Sequence, residues 1–290
     1  MQYPTLSEYF AEAQRIIKAQ KGNGEYEFST GLTWVDEITG GMKRGEIWIV
    51  SGKTGCGKTA MALQMARNFC DDTRHSILFL SLELKGWQMA LRMFCEVNGI
   101  DCSDLSNNRI EFDPRLVAGF EKYLDSIDFD IFEGGYNFEE VESVIKNCYE
   151  VKRPDIIFLD FVQLIEWKKF KDERIAIMEY IRKIKEWANK FNIGFVVISQ
   201  IRRLPSGSDY SRAPDLQDLM GSGSLEQLAD KVLFIYKTIT TETIKGISST
   251  VEKHFINIAK NRQGRTLEKE VIYQGASYHF KELIGQKPSC

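Results

Sequence analysis

Short apolar runs recur along this chain from Glu46 onward, separated by stretches whose apolar residues return every three or four positions. The runs are IWIVS (47–51), ILFLSLE (77–83), DIFE (130–133), IIFLD (156–160), FVVISQ (195–200) and VLFIYK (232–237). Several are apolar throughout and rich in β-branched or aromatic residues, the pattern of strands buried on both faces. Between them the period turns helical near 59–70, 87–97, 114–125, 138–150 and 174–191. This alternation predicts an α/β fold, a mostly parallel central sheet with helices on both faces. HFINIAKNR, LEKEVIY and SYHF near the C-terminus have no helical pattern between them, and are expected as antiparallel edge strands.

Ahead of the first strand, residues 6–20 read as an amphipathic helix with Leu6, Tyr9, Phe10, Ala13, Ile16 and Ile17 on one side. A polar, glycine-containing stretch from Lys21 follows and has the character of a linker. Residues 1–24 are too few for a separate folded unit, so an arm is expected there and a single large domain over 25–285.

Composition narrows the class without choosing a function. The chain has 290 residues, 43% hydrophobic and 27% charged, ordinary for a globular protein. No apolar run approaches the roughly 20 residues that cross a bilayer. The N-terminus lacks an apolar signal core, so secretion is not expected. Six cysteines form no CxxC pair, which suits a reducing cytoplasm better than a zinc site or a disulfide framework. His75, His254 and His279 are too scattered to suggest a metal cluster. A net charge of −3 argues against a broadly basic outer surface for nucleic acid and leaves room for a local strip or a channel shared by subunits.

One segment carries specific chemistry. Gly52, Lys53, Thr54, Gly55, Cys56, Gly57, Lys58 and Thr59 fit G-x-x-x-x-G-K-[ST], with a strand before and a helix after. Glycines let the backbone wrap so that amide N–H groups and the helix N-terminus converge on phosphates. Lys58 can meet the β/γ oxygens, and the Thr59 hydroxyl can ligate Mg²⁺. Asp160 closes a strand expected at the same sheet edge, where its carboxylate can hold Mg²⁺ through water. Glu83 and Gln200 close two more strands: one suits activation of an attacking water, the other sensing of the γ-phosphate. Alone, Asp160 could be a cap, and Glu83 and Gln200 solvated strand ends.

Together these segments resemble the ATPase domain of DnaB-type replicative helicases, within the RecA-like superfamily, over about 28–280. FSTGLTWVDEITGGMKRGEIWIVSG matches the family's lead-in to its phosphate loop. SLEL (81–84) stands where that family has its catalytic glutamate, DFVQLI (160–165) where it has Asp-Tyr-Leu-Gln-Leu, and ISQIRR (198–203) where it has Ser-Gln-Leu-x-Arg. The resemblance thus supports Glu83 as general base, Asp160 at the metal and Gln200 at the γ-phosphate. DLMGSGSLEQLAD (218–230) looks like the family's DNA-channel loop and helix, and IAKNRQGRT (258–266) like the segment whose Lys and Arg reach a neighbouring subunit's nucleotide. On that match Lys260 and Arg262 act in trans.

The resemblance implies an ATP- and Mg²⁺-dependent helicase moving on single-stranded DNA as a homo-oligomeric ring, with six subunits expected and replication proteins as possible partners. Arg202, Arg203, Gly221, Ser222 and Gly223 are the candidate DNA contacts, with WKKFKDER (167–174) and the loop 204–212 as further stretches. Two departures stand out: the family's globular N-terminal domain is not represented, and Met220 stands where an Arg is common. A recombinase-like or accessory ATPase that binds single strands without processive unwinding, and a nucleotide-gated assembly protein, are the competing readings. No residue of the sequence identifies the base of the nucleotide.

Overall fold

Successive side chains of a strand point to opposite faces, and here both faces are covered by helices. The computed structural model describes residues 26–71, 75–134, 137–165, 173–202, 212–219, 222–244 and 247–283, with scattered helical positions at 6–8, 10–11 and 14. In strand β1 (Ile47–Gly52) every residue is buried. Trp48 and Val50 enter one apolar cluster, while Ile47 and Ile49 enter a second on the other face. Strands β4 (Ile156–Asp160) and β5 (Gly194–Gln200) divide their residues in the same way.

The remaining strands are β2 (Ser76–Ser81), β3 (Asp128–Glu133), β6 (Lys231–Ile244), β7 (Ile247–Asn261), β8 (Leu267–Gln274) and β9 (His279–Glu282). They form one sheet in the order β3-β2-β4-β5-β1-β6-β7-β8-β9. Pairing is parallel from β3 through β6 and antiparallel beyond. The helices are α1 (Thr33–Thr39), α2 (Lys58–Cys70), α3 (Gly86–Asn98), α4 (Cys102–Ser106), α5 (Pro114–Leu124), α6 (Phe138–Val151), α7 (Glu173–Phe191) and α8 (Ser222–Leu228). α2 and α3 pack on the Trp48 face, α6 and α7 on the Ile47 face. No helix among the described residues is long and apolar enough to cross a membrane.

Two boundaries differ from expectation for physical reasons. The run 77–83 stops as a strand at Ser81: Leu82 N makes the last ladder bond, to Asp160 O at 2.7 Å, and Ser81 Oγ then donates to Leu84 O at 2.6 Å, which folds the chain into a bend. Glu83 therefore stands in that bend, exposed, and not at the strand end. The run 232–237 continues to Ile244, since its threonines, though polar, favour a pleated ribbon paired with β7.

The short helices α1, α4 and α8 carry too few periods to be read from pattern. Several expectations lie outside the described residues: most of the arm and its linker, the stretch 166–172, Arg203 with the loop 204–211, Met220 and Gly221.

Candidate nucleotide-binding site

The strand ends meet because the parallel register puts them level. Ser81 pairs with Asp160 across β2 and β4, and Gly52 pairs with Gln200 across β1 and β5. The loop after Gly52, the bend holding Glu83, Asp160 and Gln200 thus share one end of the sheet. That is the carboxyl end of the parallel strands, where open α/β sheets form their binding crevices.

Two glycines there leave no room for a side chain. A Cβ on Gly52 would lie 2.2 Å from Ile235 O, so β1 and β6 can approach only without one. Gly57 precedes α2 with φ +89°, and a Cβ there would lie 2.8 Å from Phe280 Cζ. Phe280 is in turn fastened to α2, for Gln64 Nε2 donates to Phe280 O at 2.9 Å and Phe280 N donates to Gln64 Oε1 at 2.8 Å.

The loop borders a cavity of about 260 Å³. Its walls include Thr54, Gly55, Gly57, Lys58 and Thr59 from the loop, Glu83 from the bend, Gln200 from β5, and Arg92, Tyr273 and Tyr278. Lys58 is buried and donates to Lys53 O at 2.9 Å. Burial lowers its pKa, against the opposing pull of Cys56, Asp160 and Glu83. An ammonium so placed gains from an anion, because it has given up water for one carbonyl.

Asp160 is buried, and neither of its carboxylate oxygens completes a hydrogen bond. Burial pushes its carboxyl up to about 6; the nearby Thr59 hydroxyl opposes that rise, Glu83 adds to it, and Lys58 and Arg92 oppose it. An orphaned buried carboxylate is costly unless something pairs with it. Together with the Thr59 hydroxyl it offers the oxygen donors that suit a small divalent cation such as Mg²⁺.

Other groups at the site emerged only in three dimensions. Arg92, on α3, brings a second cation, and its guanidinium lies 4.6 Å from the centre of the Tyr278 ring. Nothing local in the sequence marked it, because which way α3 faces is set by packing. Tyr273 and Tyr278 come from the C-terminal hairpin. Gln163, within DFVQLI, donates through Nε2 to Ser199 Oγ at 2.7 Å and accepts from Gln200 N at 3.3 Å. It locks the end of β4 to the end of β5.

The candidate nucleic-acid residues are partly visible. Arg202 N donates to Asp218 O at 2.8 Å, and Ile201 bridges Leu219. The chain after Gln200 therefore lies against the segment that leads into α8, whose first residues are Ser222 and Gly223. Lys260 and Arg262 are elsewhere. Lys231 pairs with both Trp48 and Asn261, so these two cations sit near the start of β1. At about 3.3 Å per residue the start of β1 lies roughly 15 Å from the phosphate loop, so they do not line their own cavity.

A glycine-rich turn from strand to helix, an acid closing a nearby strand and a parallel sheet of this order define a nucleotide-binding domain of the RecA-like P-loop class. More narrowly, the chain belongs to the family whose model is described as "DnaB-like helicase C terminal domain", which matches residues 28–282. Among curated proteins it is 28% identical over 243 residues to "Replicative DNA helicase DnaB" of Helicobacter pylori, covering 81% of this chain and 49% of that one. It is 29% identical over 239 residues to "Replicative DNA helicase DnaC" of Bacillus subtilis, covering 81% and 52%. The chain thus spans about half the length of these relatives. Among solved structures, "ATPase Domain of G40P" superposes with a TM-score of 0.81 at 23% identity, over 97% of this chain and all of that one. "The Structure Of A DnaB-Like Replicative Helicase And Its Interactions With Primase" superposes at 0.78 and 23%, over 97% and 68%. These two likenesses establish the fold.

Proposed function

We propose that this chain is an ATP-hydrolysing DNA helicase that moves along single-stranded DNA as a ring, in DNA replication. The observation that carries the reading is the meeting of the loop 52–59, Glu83 and Gln200 around one cavity, in a chain of this family. Residues 25–285 form the ATPase domain and residues 1–24 an N-terminal arm and linker. The five free cysteines among the described residues fit a reducing compartment, and we place the activity in the cytoplasm.

In this reading the loop amides and Lys58 grip the triphosphate, Tyr273 or Tyr278 offers a ring face to the nucleoside, and Arg92 adds positive charge from the α3 side. Thr59 and Asp160 would hold Mg²⁺, which supplies charge neutralisation at the phosphates when bound. Glu83, exposed and facing the cavity, takes the proton of the attacking water as the γ-phosphoryl leaves ADP. Gln200 hydrogen-bonds the γ-phosphate and passes its presence to Arg202 and Arg203. These, with the backbone amides of Gly221, Ser222 and Gly223, grip DNA phosphates without reading sequence. Lys260 and Arg262 complete the site of the next subunit in a ring of six.

ATP turnover measured with and without single-stranded DNA over a range of salt, followed by strand displacement on a forked duplex, tests this. Stimulation with displacement is expected, weakening steeply with salt. Stimulation without displacement would point to an accessory single-strand-binding ATPase. Neither, at low salt, would point to a nucleotide-gated assembly protein.

A further inference from the structure

At the end of the sheet opposite the cavity, one buried carboxylate gathers three donors. Asp230, the residue before β6, accepts on Oδ2 from Ile47 N and from Lys185 Nζ, each at 2.9 Å. On Oδ1 it accepts from Arg262 Nη1 at 3.0 Å. The backbones are joined as well: Asp230 N donates to Ile47 O at 2.8 Å, and Arg262 N donates to Asp230 O at 3.0 Å. Arg262 uses its other terminal nitrogen on Gln227 O at 3.1 Å, and Lys260 Nζ donates to Glu226 O. Both acceptors are in the last turn of α8, where carbonyls lack helical partners and basic side chains fit. The Arg262 side chain is nonetheless 50% exposed, so part of its fork faces outward.

We propose that Asp230 is the positioning residue for Arg262: its Oδ1, with Gln227 O, holds the guanidinium ready for a second copy's triphosphate. This rests on the trans role given to Arg262 above. An exposed arginine spreads over many rotamers, whereas a planar fork with two acceptors in different directions is held in one. The carboxylate is itself immobile, because Oδ2 is tied to the first amide of β1 and to α7. β1 also leads into the phosphate loop, so the site a subunit owns and the cation it lends are framed by one strand.

Asp230→Asn separates positioning from architecture. An asparagine turned by the same two donors keeps its oxygen toward Ile47 and Lys185 and presents its amide, itself a donor, to Arg262. Wild type, D230N, R262A and the double variant are compared as assembled full chains, by ATP turnover with single-stranded DNA, by KM and by melting temperature. D230N is expected to lower kcat by about 10- to 100-fold. Its KM should change by less than about twofold, and the double variant should be no slower than R262A.

Losses that multiply in the double variant overturn the proposal, as does wild-type turnover of D230N beside a crippled R262A. Wild-type turnover of R262A overturns the trans reading itself, and the proposal with it. Should D230N fail to fold, R262K leaves Asp230 and β1 intact but cannot span both acceptors with one fork. It is expected to lose about tenfold or more in kcat, and wild-type turnover would overturn the proposal.

Discussion

Glu83 and Glu96 show how placement decides what a carboxylate does. Glu83 stands in a bend closed by the bond from Ser81 Oγ to Leu84 O, exposed and on the cavity wall. An amide there could still hydrogen-bond a water but could not take its proton. Glu83→Gln is expected to cut turnover by about 10²- to 10⁴-fold while leaving ATP affinity nearly unchanged; steady-state phosphate release and equilibrium nucleotide binding check this. Glu96 is buried in the wall of α3, where Arg67 Nε reaches it at 2.7 Å and His279 Nδ1 bonds its other oxygen. Burial raises its pKa, but the hydrogen bond from His279 and the charge and hydrogen bond of Arg67 more than offset that, and the net shift is downward. A carboxylate held below its unfolded value stabilises the fold fully above the ordinary glutamate range and loses that contribution as pH falls through its folded value. Glu96→Gln should therefore cost about 1–3 kcal/mol near neutral pH, and the gap to wild type should close under acid, as read from urea melts across pH. Glu83 and Lys58 were legible as residues; Glu96 was not, because its partners come from two other elements.

Between elements, the joint that shapes the cavity is the one between α2 and β9. Gln64 behaves as a strand edge, offering a donor and an acceptor to the backbone of Phe280. Phe280 then lies over Gly57 and stacks on Tyr273 with ring centres 4.4 Å apart. Gln64→Ala would leave a buried N–H and C=O of Phe280 without partners, at a cost of about 1–3 kcal/mol. It should also weaken nucleotide binding, because β8 and β9 carry the aromatic side of the cavity. Thermal denaturation with and without nucleotide checks both, and an unchanged melting temperature would show that the hairpin is held by something else. α2 was evident from its period and from the loop before it. That a glutamine in its middle would receive β9, more than two hundred residues later, was not, since nothing local marks a helix position as a strand surrogate.

Across the whole molecule, parallel register gives the sheet two chemically different ends. One end collects Gly52, Glu83, Asp160 and Gln200; the other carries Asp230, Lys260 and Arg262. α8 begins three residues after Leu219, which bridges Ile201, and ends at the carbonyls that hold the two cations. The two cations lie about 15 Å of strand from their own phosphate site, which fits the trans role proposed for them. Arg262→Ala is accordingly expected to leave single-subunit ATP affinity unaltered and to reduce turnover of the assembled protein by about 10³- to 10⁵-fold. Nucleotide titration of dilute subunits beside turnover of the isolated oligomer checks it.

Local pattern alone determined that strands and helices alternate, that residues 52–59 carry the glycine-rich signature of a phosphate loop between a strand and a helix, and that Asp160 and Gln200 close two strands. Those features depend on backbone geometry and on periods of two and 3.6 residues, which any short window contains. Tertiary structure alone decided the order of the strands, the bend that carries Glu83 out of the sheet, the arrival of Arg92, Tyr273 and Tyr278 at the cavity, and the pairing of Asp230 with Arg262. These are outcomes of packing two apolar faces at once, where a residue's partner is chosen by register and helix orientation across the whole sheet and not by its neighbours in the chain.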